Sequence, residues 1–237
     1  MITFSGNSCP SITDWLQAIG TIGAVIVALF FFFWERIREW WNKPHLGISL
    51  QFNPPDCHRI ITVAQRDDGR IVNPDAFWFR LTASNKGRNS AKDLEAIISN
   101  MERKNNNTWE TYSPFLPSNL KWTHISTQYL PMLLPKTEKK LDLGHIMDPN
   151  FRRAFLSERN PALTNIPNAQ ALFHFEVATQ PSNGYNNIPP GEYRFELIVG
   201  AANCSPISTI ISLSFSGNWN RQEDLMLQRE INLNILK

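Results

Sequence analysis

The feature that most constrains this chain is an apolar segment near its start, WLQAIGTIGAVIVALFFFFW, which runs from Trp15 to Trp34 without a charge. As an α-helix rising about 1.5 Å per residue, these twenty residues would be about 30 Å long, which matches the hydrocarbon thickness of a bilayer. Indole rings at both ends are typical of the boundary with lipid headgroups. We therefore predict a transmembrane helix over 15–34, with a helical extension to about residue 43, before Pro44.

Three alternatives to a spanning helix fit the flanking sequence less well. A cleaved signal peptide would have basic residues before the apolar run, whereas residues 1–14 contain no Lys or Arg, and the run ends in FFFFWERIREWW instead of a small-residue cleavage site. A buried core helix would carry a polar stripe, and an interfacial helix would carry a charged face. The segment has neither feature, so the spanning helix is preferred.

The charges on either side of the helix predict its orientation. Arg36, Arg38 and Lys43 follow the span, whereas the only charged side chain before it is Asp14. The positive-inside rule then places a short N-terminus (1–14) outside the cytoplasm and the C-terminal domain (45–237) inside it.

Cysteine usage and composition narrow the function classes. Three widely spaced thiols, Cys9, Cys57 and Cys204, fit neither a disulfide framework nor a zinc-binding spacing, and a reducing cytoplasm suits them. With 23 Lys and Arg against 21 Asp and Glu, the chain lacks the charge surplus of a nucleic-acid-binding module, so no nucleic-acid partner is expected. A hydrophobic fraction of 42% is enough to build a core.

Small residues recur every four positions on the predicted span, at Gly20, Ala24 and Ala28. Such a strip lets a second helix approach closely, which would give a homo-oligomer within the bilayer. The alternative is that Gly and Ala are simply common in spanning helices. Besides the lipid bilayer, a second copy of the chain is therefore one expected partner.

After Pro44 the hydropathy pattern alternates with a period of two, which is typical of strands with one buried face. The clearest runs are 46–52, 77–83, 171–177, 193–199, 209–215 and 231–235, with a further strand over 94–98. A hairpin is predicted to join 60–64 to 70–72, and short helices are predicted over 151–160 and 221–228. Strands with one apolar face must hide it against a second sheet. The predicted fold is therefore mainly β, an Ig-like antiparallel β-sandwich with one N-terminal transmembrane helix and one or two short helices.

The middle of the chain, about 105–170, is the least periodic part and is predicted to be an irregular insertion on the sandwich. It carries four isolated aromatic residues: Trp109, Tyr112, Phe115 and Trp122. Irregular segments on a rigid scaffold often bind partners, so these residues are candidates for a partner-binding surface. The alternative is that they pack the connection against a sheet, which is the more common use of an isolated aromatic.

Two segments carry a resemblance to known proteins. Residues 77–91, FWFRLTASNKGRNSA, resemble the strand-turn-strand of bacterial Ig-like modules related to the cell-adhesion-related bacterial domain, through Asn85, Gly87 and Ala91. The later Pro190-Gly191-Glu192-Tyr193, and Gly217-Asn218-Trp219 with Met226, resemble a group of uncharacterised bacterial single-pass membrane proteins with a cytosolic sandwich. The resemblance implies this fold and a bacterial inner membrane, and it implies no catalytic residue. The cytosolic placement differs from that of secreted adhesive modules.

Motifs that carry catalysis or bind cofactors are not found. The chain has no GxxxxGK[ST], GxGxxG or GxSxG sequence. We therefore predict no catalytic residue, no cofactor and no metal. Asp56-Cys57-His58 contains atoms that bind metals, but adjacent residues on a strand point to opposite sides.

The remaining histidines and the basic residues also indicate no site. His45, His124, His145 and His174 are dispersed, and His174 falls on the polar face of its predicted strand, so solvent-facing imidazoles are expected. Lys136, Lys139 and Lys140 flank Glu138, which is typical of a solvated rim. An anionic ligand at this rim is the alternative.

Three function hypotheses remain. The preferred one is a non-catalytic binding or scaffolding protein, anchored in the membrane, which captures a protein partner through the irregular middle or an exposed sheet edge. The second is an oligomerising membrane effector of a bacterial anti-phage defence system, in which the sandwich senses a ligand. The third, an enzyme of unfamiliar type, has no motif to support it.

Overall fold

The structure of the protein is a computed structural model that describes residues 11–65, 69–125, 127–154, 167 and 170–236. It divides into two compact units, Met1–Lys43 and Pro44–Lys237. The boundary coincides with the predicted end of the membrane helix.

The described residues of the first unit form the helix α1 (Ile12–Trp41). Its stretch from Trp15 to Arg38 is long and apolar enough to span a membrane, and none of the side chains that the structure describes there is buried. The Thr21 hydroxyl donates a 2.8 Å hydrogen bond to the Gln17 carbonyl one turn earlier. This bond satisfies the hydroxyl within the helix.

The second unit is mainly β. Its strands are β1 (Leu46–Ser49), β2 (Cys57–Ile61), β3 (Ala64–Gln65), β4 (Ile71–Val72), β5 (Asp75–Asn85), β6 (Ala91–Asn105), β7 (Thr108–Thr111), β8 (Ser118–Asn119), β9 (Lys121–Trp122), β10 (Leu130–Leu133), β11 (Glu138–Met147), β12 (Phe173–Phe175), β13 (Asn187–Ile188), β14 (Gly191–Ala201), β15 (Cys204–Phe215) and β16 (Ile231–Leu236).

These strands form two sheets and a separate hairpin, β3–β4. Sheet I has the order β1-β5-β11-β12-β13, with β2 also paired to β5 and β9 to β11. Sheet II has the order β10-β6-β14-β15-β16, with β7 and β8 also paired to β6. The described pairings are antiparallel. This confirms the predicted class, a mainly β fold of two antiparallel sheets.

The core lies between the two sheets and is a single cluster of buried side chains. Sheet I contributes Phe77, Phe79 and Phe175, and sheet II contributes Phe195 and Leu197. The rings of Phe175 and Phe195 meet edge to face with their centroids 5.3 Å apart. Aromatic pairs of this geometry add about 0.5–1.5 kcal/mol to the stabilisation from burial, so this contact helps to hold the sheets together.

Most predicted strands are confirmed. The runs 77–83, 193–199, 209–215 and 231–235 lie within β5, β14, β15 and β16. The predicted hairpin around 67–69 exists as the pairing of β3 with β4, although residues 66–68 lie outside the described part of the chain. The runs at 46–52 and 171–177 are strands only over β1 and β12.

The predicted irregular middle differs most from the structure, because it contains a central strand of sheet I, β11. Its pairing with β5 shifts register between Asp142 and Gly144. This bulge moves the buried positions from one phase of the alternation to the other, which hides the period of two in the sequence. Strand β6 likewise runs far beyond the predicted 94–98, and its pairing with β14 also shifts register.

Helical turns are found at both positions where short helices are predicted. Pro149–Ala154 is a 3₁₀ helix, and residues 155–160 of the predicted helix lie outside the described residues. Near the end, α2 (Glu223–Leu225) continues into a π-helical turn, Met226–Glu230, whose Met226 is buried in the core.

Candidate functional site

A row of aromatic and polar side chains crosses the outer face of sheet I. Register pairs His58 with Trp78, Trp78 with His145, His145 with His174, and His174 with Asn187. Side chains opposite one another on adjacent antiparallel strands lie about 4.5–5.5 Å apart at Cβ. The fold therefore brings two histidines into contact that are far apart in sequence.

His145 and His174 form a cluster with Glu176. One nitrogen of each imidazole and one carboxylate oxygen lie within 4.8 Å of one another. The ring centroids of the two histidines are 4.7 Å apart, and His145 Nδ1 lies 2.9 Å from Glu176 Oε1. Glu176 shares the outer face with His174 because it follows two positions later on an extended chain. We name these three residues the His-His-Glu cluster.

Lys121, on β9, closes one side of the cluster. Its Nζ donates a 2.9 Å hydrogen bond to Glu176 Oε2, so the carboxylate is held between an imidazole and an ammonium group. The Lys121 side chain is 41% exposed, whereas those of His145 and Glu176 are 12% and 10% exposed. The Lys121 ammonium is therefore in contact with solvent, whereas His145 and Glu176 are largely buried.

Asn187 sets the tautomer of His174. The Asn187 amide nitrogen donates to the Gly184 carbonyl at 3.1 Å, which leaves Oδ1 to accept from His174 Nδ1 at 2.8 Å. With the proton on Nδ1, a neutral His174 carries its lone pair on Nε2. The only described polar contact of Nε2 is with the Asn186 amide, at 3.5 Å, the outer limit of a hydrogen bond.

Burial and charge determine the protonation of the cluster. Burial, followed by repulsion from His145, lowers the pKa of His174 to about 4, so its imidazole is neutral at physiological pH. Burial alone would raise the pKa of Glu176, but the hydrogen bond and charge of His145, with smaller contributions from His174 and Lys121, lower it to about 2. The site thus presents a neutral imidazole beside a carboxylate.

Trp78 forms the other wall of the cluster. Its indole stacks on His145 with a centroid distance of 4.9 Å and an interplanar angle of 25°. The Arg80 guanidinium lies 5.7 Å from the Trp78 ring and is fixed by a 2.9 Å ion pair with Asp142. These contacts restrict rotation of the His145 ring.

Gly144 makes the close approach of β11 and β12 feasible. A Cβ at this position would lie 2.4 Å from the His174 carbonyl oxygen and 2.6 Å from the Phe173 ring. Because glycine has no side chain, the backbones of β11 and β12 can approach closely here, next to the pairing of His145 with His174.

The expectation of dispersed, solvent-facing histidines is wrong for His145 and His174, which lie side by side and are largely buried. Sequence interpretation missed this cluster because the pairing of β11 with β12 cannot be deduced from either strand alone. One local signal was present: His174-x-Glu176 places two metal-binding groups on one face of a strand.

The predicted partner-binding aromatics do not share one surface. Phe115 and Trp122 are 8% and 1% exposed and belong to the core. Tyr112 packs against that core and meets the Tyr193 ring edge to face at 5.7 Å. Trp109 alone lies on an outer face, with the Arg194 guanidinium 3.9 Å from its ring centroid. Three of the four thus follow the alternative interpretation, packing against the sheets.

The Asp56-Cys57-His58 trio is divided between environments, as expected for adjacent residues of an extended chain. Cys57 lies in the core, and its burial raises the pKa of its thiol to about 12. His58 faces Trp78 on the outer face. Asp56 is 1% exposed and accepts a 2.6 Å hydrogen bond from Lys140 Nζ. Lys140 is therefore an ion-pair partner of a buried carboxylate, which corrects its assignment to a solvated rim.

The residues predicted for the membrane anchor lie exposed on α1. Trp15 and Trp34 are 62% and 45% exposed, and Gly20, Ala24 and Ala28 are exposed as well. A Cβ placed on Gly20 would meet no atom within 4 Å. The helix thus has an unobstructed strip of small residues.

Sheet II ends in a strand with an open side. β16 pairs with β15 and, among the described strands, with no other. Its six residues, INLNIL, contain no charge and no proline, the residues that commonly protect an edge. Leu236 pairs in register with Ile210 on β15, and the two side chains are 38% and 48% exposed.

Comparison with known proteins adds no relative: no family model matches the chain, and no curated protein matches it.

Proposed function

We propose that this chain is a single-pass protein of the bacterial inner membrane whose cytoplasmic, Ig-like β-sandwich binds a protein partner by strand addition to β16. In this role the protein is a non-catalytic scaffold. The observation that carries the proposal is the open edge of β16, which has no charge or proline and lies beside the exposed Ile210–Leu236 pair.

An edge strand of this kind offers two modes of recognition. Its unpaired backbone N–H and C=O groups supply hydrogen bonds to an added strand, and neighbouring apolar side chains supply specificity. Because the predicted binding aromatics mostly pack in the core, the edge is favoured over the irregular middle as the site of partner capture.

The exposed apolar surface of α1 supports membrane anchoring. Between Trp15 and Arg38 none of the described side chains is buried, and such an apolar surface is stable only in lipid or against another helix. The basic residues Arg36, Arg38 and Lys43 after the span support a cytoplasmic sandwich.

The partner proposal is tested by photo-crosslinking of the whole chain in intact cell membranes. A photoreactive amino acid replaces Asn234 on β16 or, as a matched control, Asn100 on the central strand β6; both asparagines are exposed. We expect one reproducible protein adduct from position 234, absent from position 100 and lost when Leu236→Lys places a charge at the edge. The absence of an adduct at 234, or identical adducts at both positions, would contradict the proposal.

The orientation is tested with reporters fused after residue 237. A cytoplasm-active fluorescent reporter is expected to be bright, and alkaline phosphatase is expected to be inactive. The opposite result would place the sandwich outside the cytoplasm and remove the partner class proposed here.

A second candidate function is the oligomerising membrane effector, which the exposed strip at Gly20, Ala24 and Ala28 favours. Overexpression of this effector would depolarise the membrane, and Gly20→Leu would abolish the depolarisation. No depolarisation, or the same depolarisation in Gly20→Leu, would argue against it.

A further inference from the structure

We propose that the His-His-Glu cluster on the outer face of sheet I binds one divalent transition-metal ion, with His174 Nε2, a ring nitrogen of His145 and a Glu176 carboxylate oxygen as ligands. This site is independent of partner binding at β16, because it lies on the other sheet.

The donor set indicates the class of ion. Two imidazoles and one carboxylate are a known set of three protein ligands for Zn²⁺, which leaves a fourth position for water or another ligand. Imidazole nitrogen also suits Co²⁺, Ni²⁺ and Cu²⁺, whereas Mg²⁺ and Ca²⁺ prefer oxygen throughout. The site is therefore expected to take Zn²⁺ and to reject Mg²⁺.

The geometry requires only a small adjustment. Ligand atoms about 2.1 Å from a tetrahedral ion are about 3.4 Å apart. In the structure one ring nitrogen of each histidine and one Glu176 carboxylate oxygen lie within 4.8 Å of one another, and His145 Nδ1 and Glu176 Oε1 are already 2.9 Å apart. Rotation about side-chain torsions closes the remaining gap, and the backbone pairing of His145 with His174 stays as it is.

The surroundings of His174 are those of a metal ligand. Metal-binding histidines commonly donate their other ring N–H to a neighbouring oxygen, which fixes the ring and the tautomer. Asn187 Oδ1 accepts from His174 Nδ1 in this way, and Asn187 is itself 4% exposed and held by Gly184. The lone pair of His174 Nε2 thus lies on the side of the ring away from Asn187.

Lys121 is the group that opposes binding. Its ammonium forms an ion pair with Glu176 Oε2, and a metal ion bound by this carboxylate must compete with the ammonium. A Lys121→Gln change removes a like charge close to the ion without removing any proposed ligand. This change distinguishes a metal site from a salt-bridge network. It should strengthen metal binding at a metal site, whereas in a salt-bridge network it would only remove one ion pair.

The experiment uses the full chain, untagged and purified in detergent after treatment with chelator. Zn²⁺ affinity is measured by competition with a chromophoric chelator, and the coordination sphere is measured from the visible absorption of Co²⁺. We expect one Zn²⁺ per chain, no competition from Mg²⁺, and the intense visible bands of low-coordinate Co²⁺. His174→Gln and Glu176→Gln should each weaken Zn²⁺ binding by about 100-fold or more, since even loss of an outer partner costs about 10–100-fold.

A matched control is His45→Gln, because His45 is exposed and its described hydrogen bonds use only its backbone. This variant should bind as the wild type does. Near-UV circular dichroism without metal checks the fold of each variant, and Lys121→Gln, which keeps all three ligands, should bind Zn²⁺ several-fold more tightly. A folded wild type that binds no Co²⁺, ligand variants that bind as the wild type does, or a Lys121→Gln variant with unchanged or weaker affinity would overturn the proposal.

Discussion

The imidazole of His145 lies directly opposite that of His174 on the next strand, with ring centroids 4.7 Å apart. After burial, the nearness of His145 is the second cause of the lowered pKa of His174. Glu176 and Asn187 hold one ring nitrogen each, so the pair is oriented as well as close. The chemical character of the outer face of sheet I follows from this arrangement.

Acid should destabilise the fold through His174. The unfolded chain protonates this residue below about pH 6.5, whereas the folded protein protonates it only below about pH 4. Between these values the unfolded state binds more protons, so the free energy of unfolding decreases as pH falls, by roughly 3 kcal/mol across the interval. Denaturant unfolding in the presence of chelator measures this slope.

The matched variants for this measurement are His174→Gln and His45→Gln. His174→Gln should reduce the dependence of the free energy of unfolding on pH between pH 6.5 and pH 4. His45→Gln should leave this dependence unchanged. Equal slopes in all three proteins would contradict the assignment. A second decrease is expected between about pH 4.5 and pH 2, where Glu176 becomes protonated in the unfolded chain before the folded one.

Gly144→Ala should destabilise the sandwich at the contact between β11 and β12. The added Cβ would lie 2.4 Å from a backbone oxygen, which cannot move without separating the strands. Overpacking of this kind costs about 1–3 kcal/mol, measured as the change in the free energy of unfolding. Gly200→Ala is the control, because its Cβ would have an ordinary 3.7 Å contact with Pro206. Similar values for the two variants would show that the strands tolerate the clash.

Trp122 and Trp109 should behave differently, although both were candidates for a partner-binding surface. Trp122→Ala empties a buried position that is 1% exposed and should cost about 3–5 kcal/mol of stability. Trp109→Ala loses a surface contact with Arg194, worth about 0.5–1 kcal/mol. Thermal and denaturant unfolding distinguish the two cases. A Trp122→Ala protein of nearly native stability would mean that this ring is not part of the core.

Strands β14, β15 and β16 of sheet II could be predicted from sequence because their alternation is continuous: Tyr193, Phe195, Leu197 and Val199 are buried in turn along β14. β11 could not be predicted, since its bulge at Gly144 changes the phase of the alternation and its first half is rich in lysine. The His-His-Glu cluster was missed for a related reason. It depends on a long-range strand pairing, whereas the pattern within one strand reports only which face each residue takes.

Membrane retention of the full-length chain should depend on the centre of α1. A double change, Val25→Arg with Leu29→Arg, places two charges in the middle of the apolar stretch, each at a cost of about 2.5–3.5 kcal/mol. We expect the wild type to remain in the membrane pellet after alkaline carbonate extraction and the variant to move to the supernatant. Ile12→Arg, at the first residue of the helix, should change nothing. Retention of the double variant would show that a different part of the chain holds it there.

The strip of small residues on α1 makes a prediction with an internal control. Neither Gly20 nor Gly23 would bring a Cβ within 4 Å of another described atom, so leucine at either position leaves the described monomer unchanged. Only Gly20 shares the strip with Ala24 and Ala28, and only there would leucine keep two helices apart. Cysteine crosslinking within the membrane should therefore lose its dimer in Gly20→Leu and keep it in Gly23→Leu. Equal dimer yields in the two variants would mean that this strip makes no helix contact, whereas their difference would place the interface on one face of the helix.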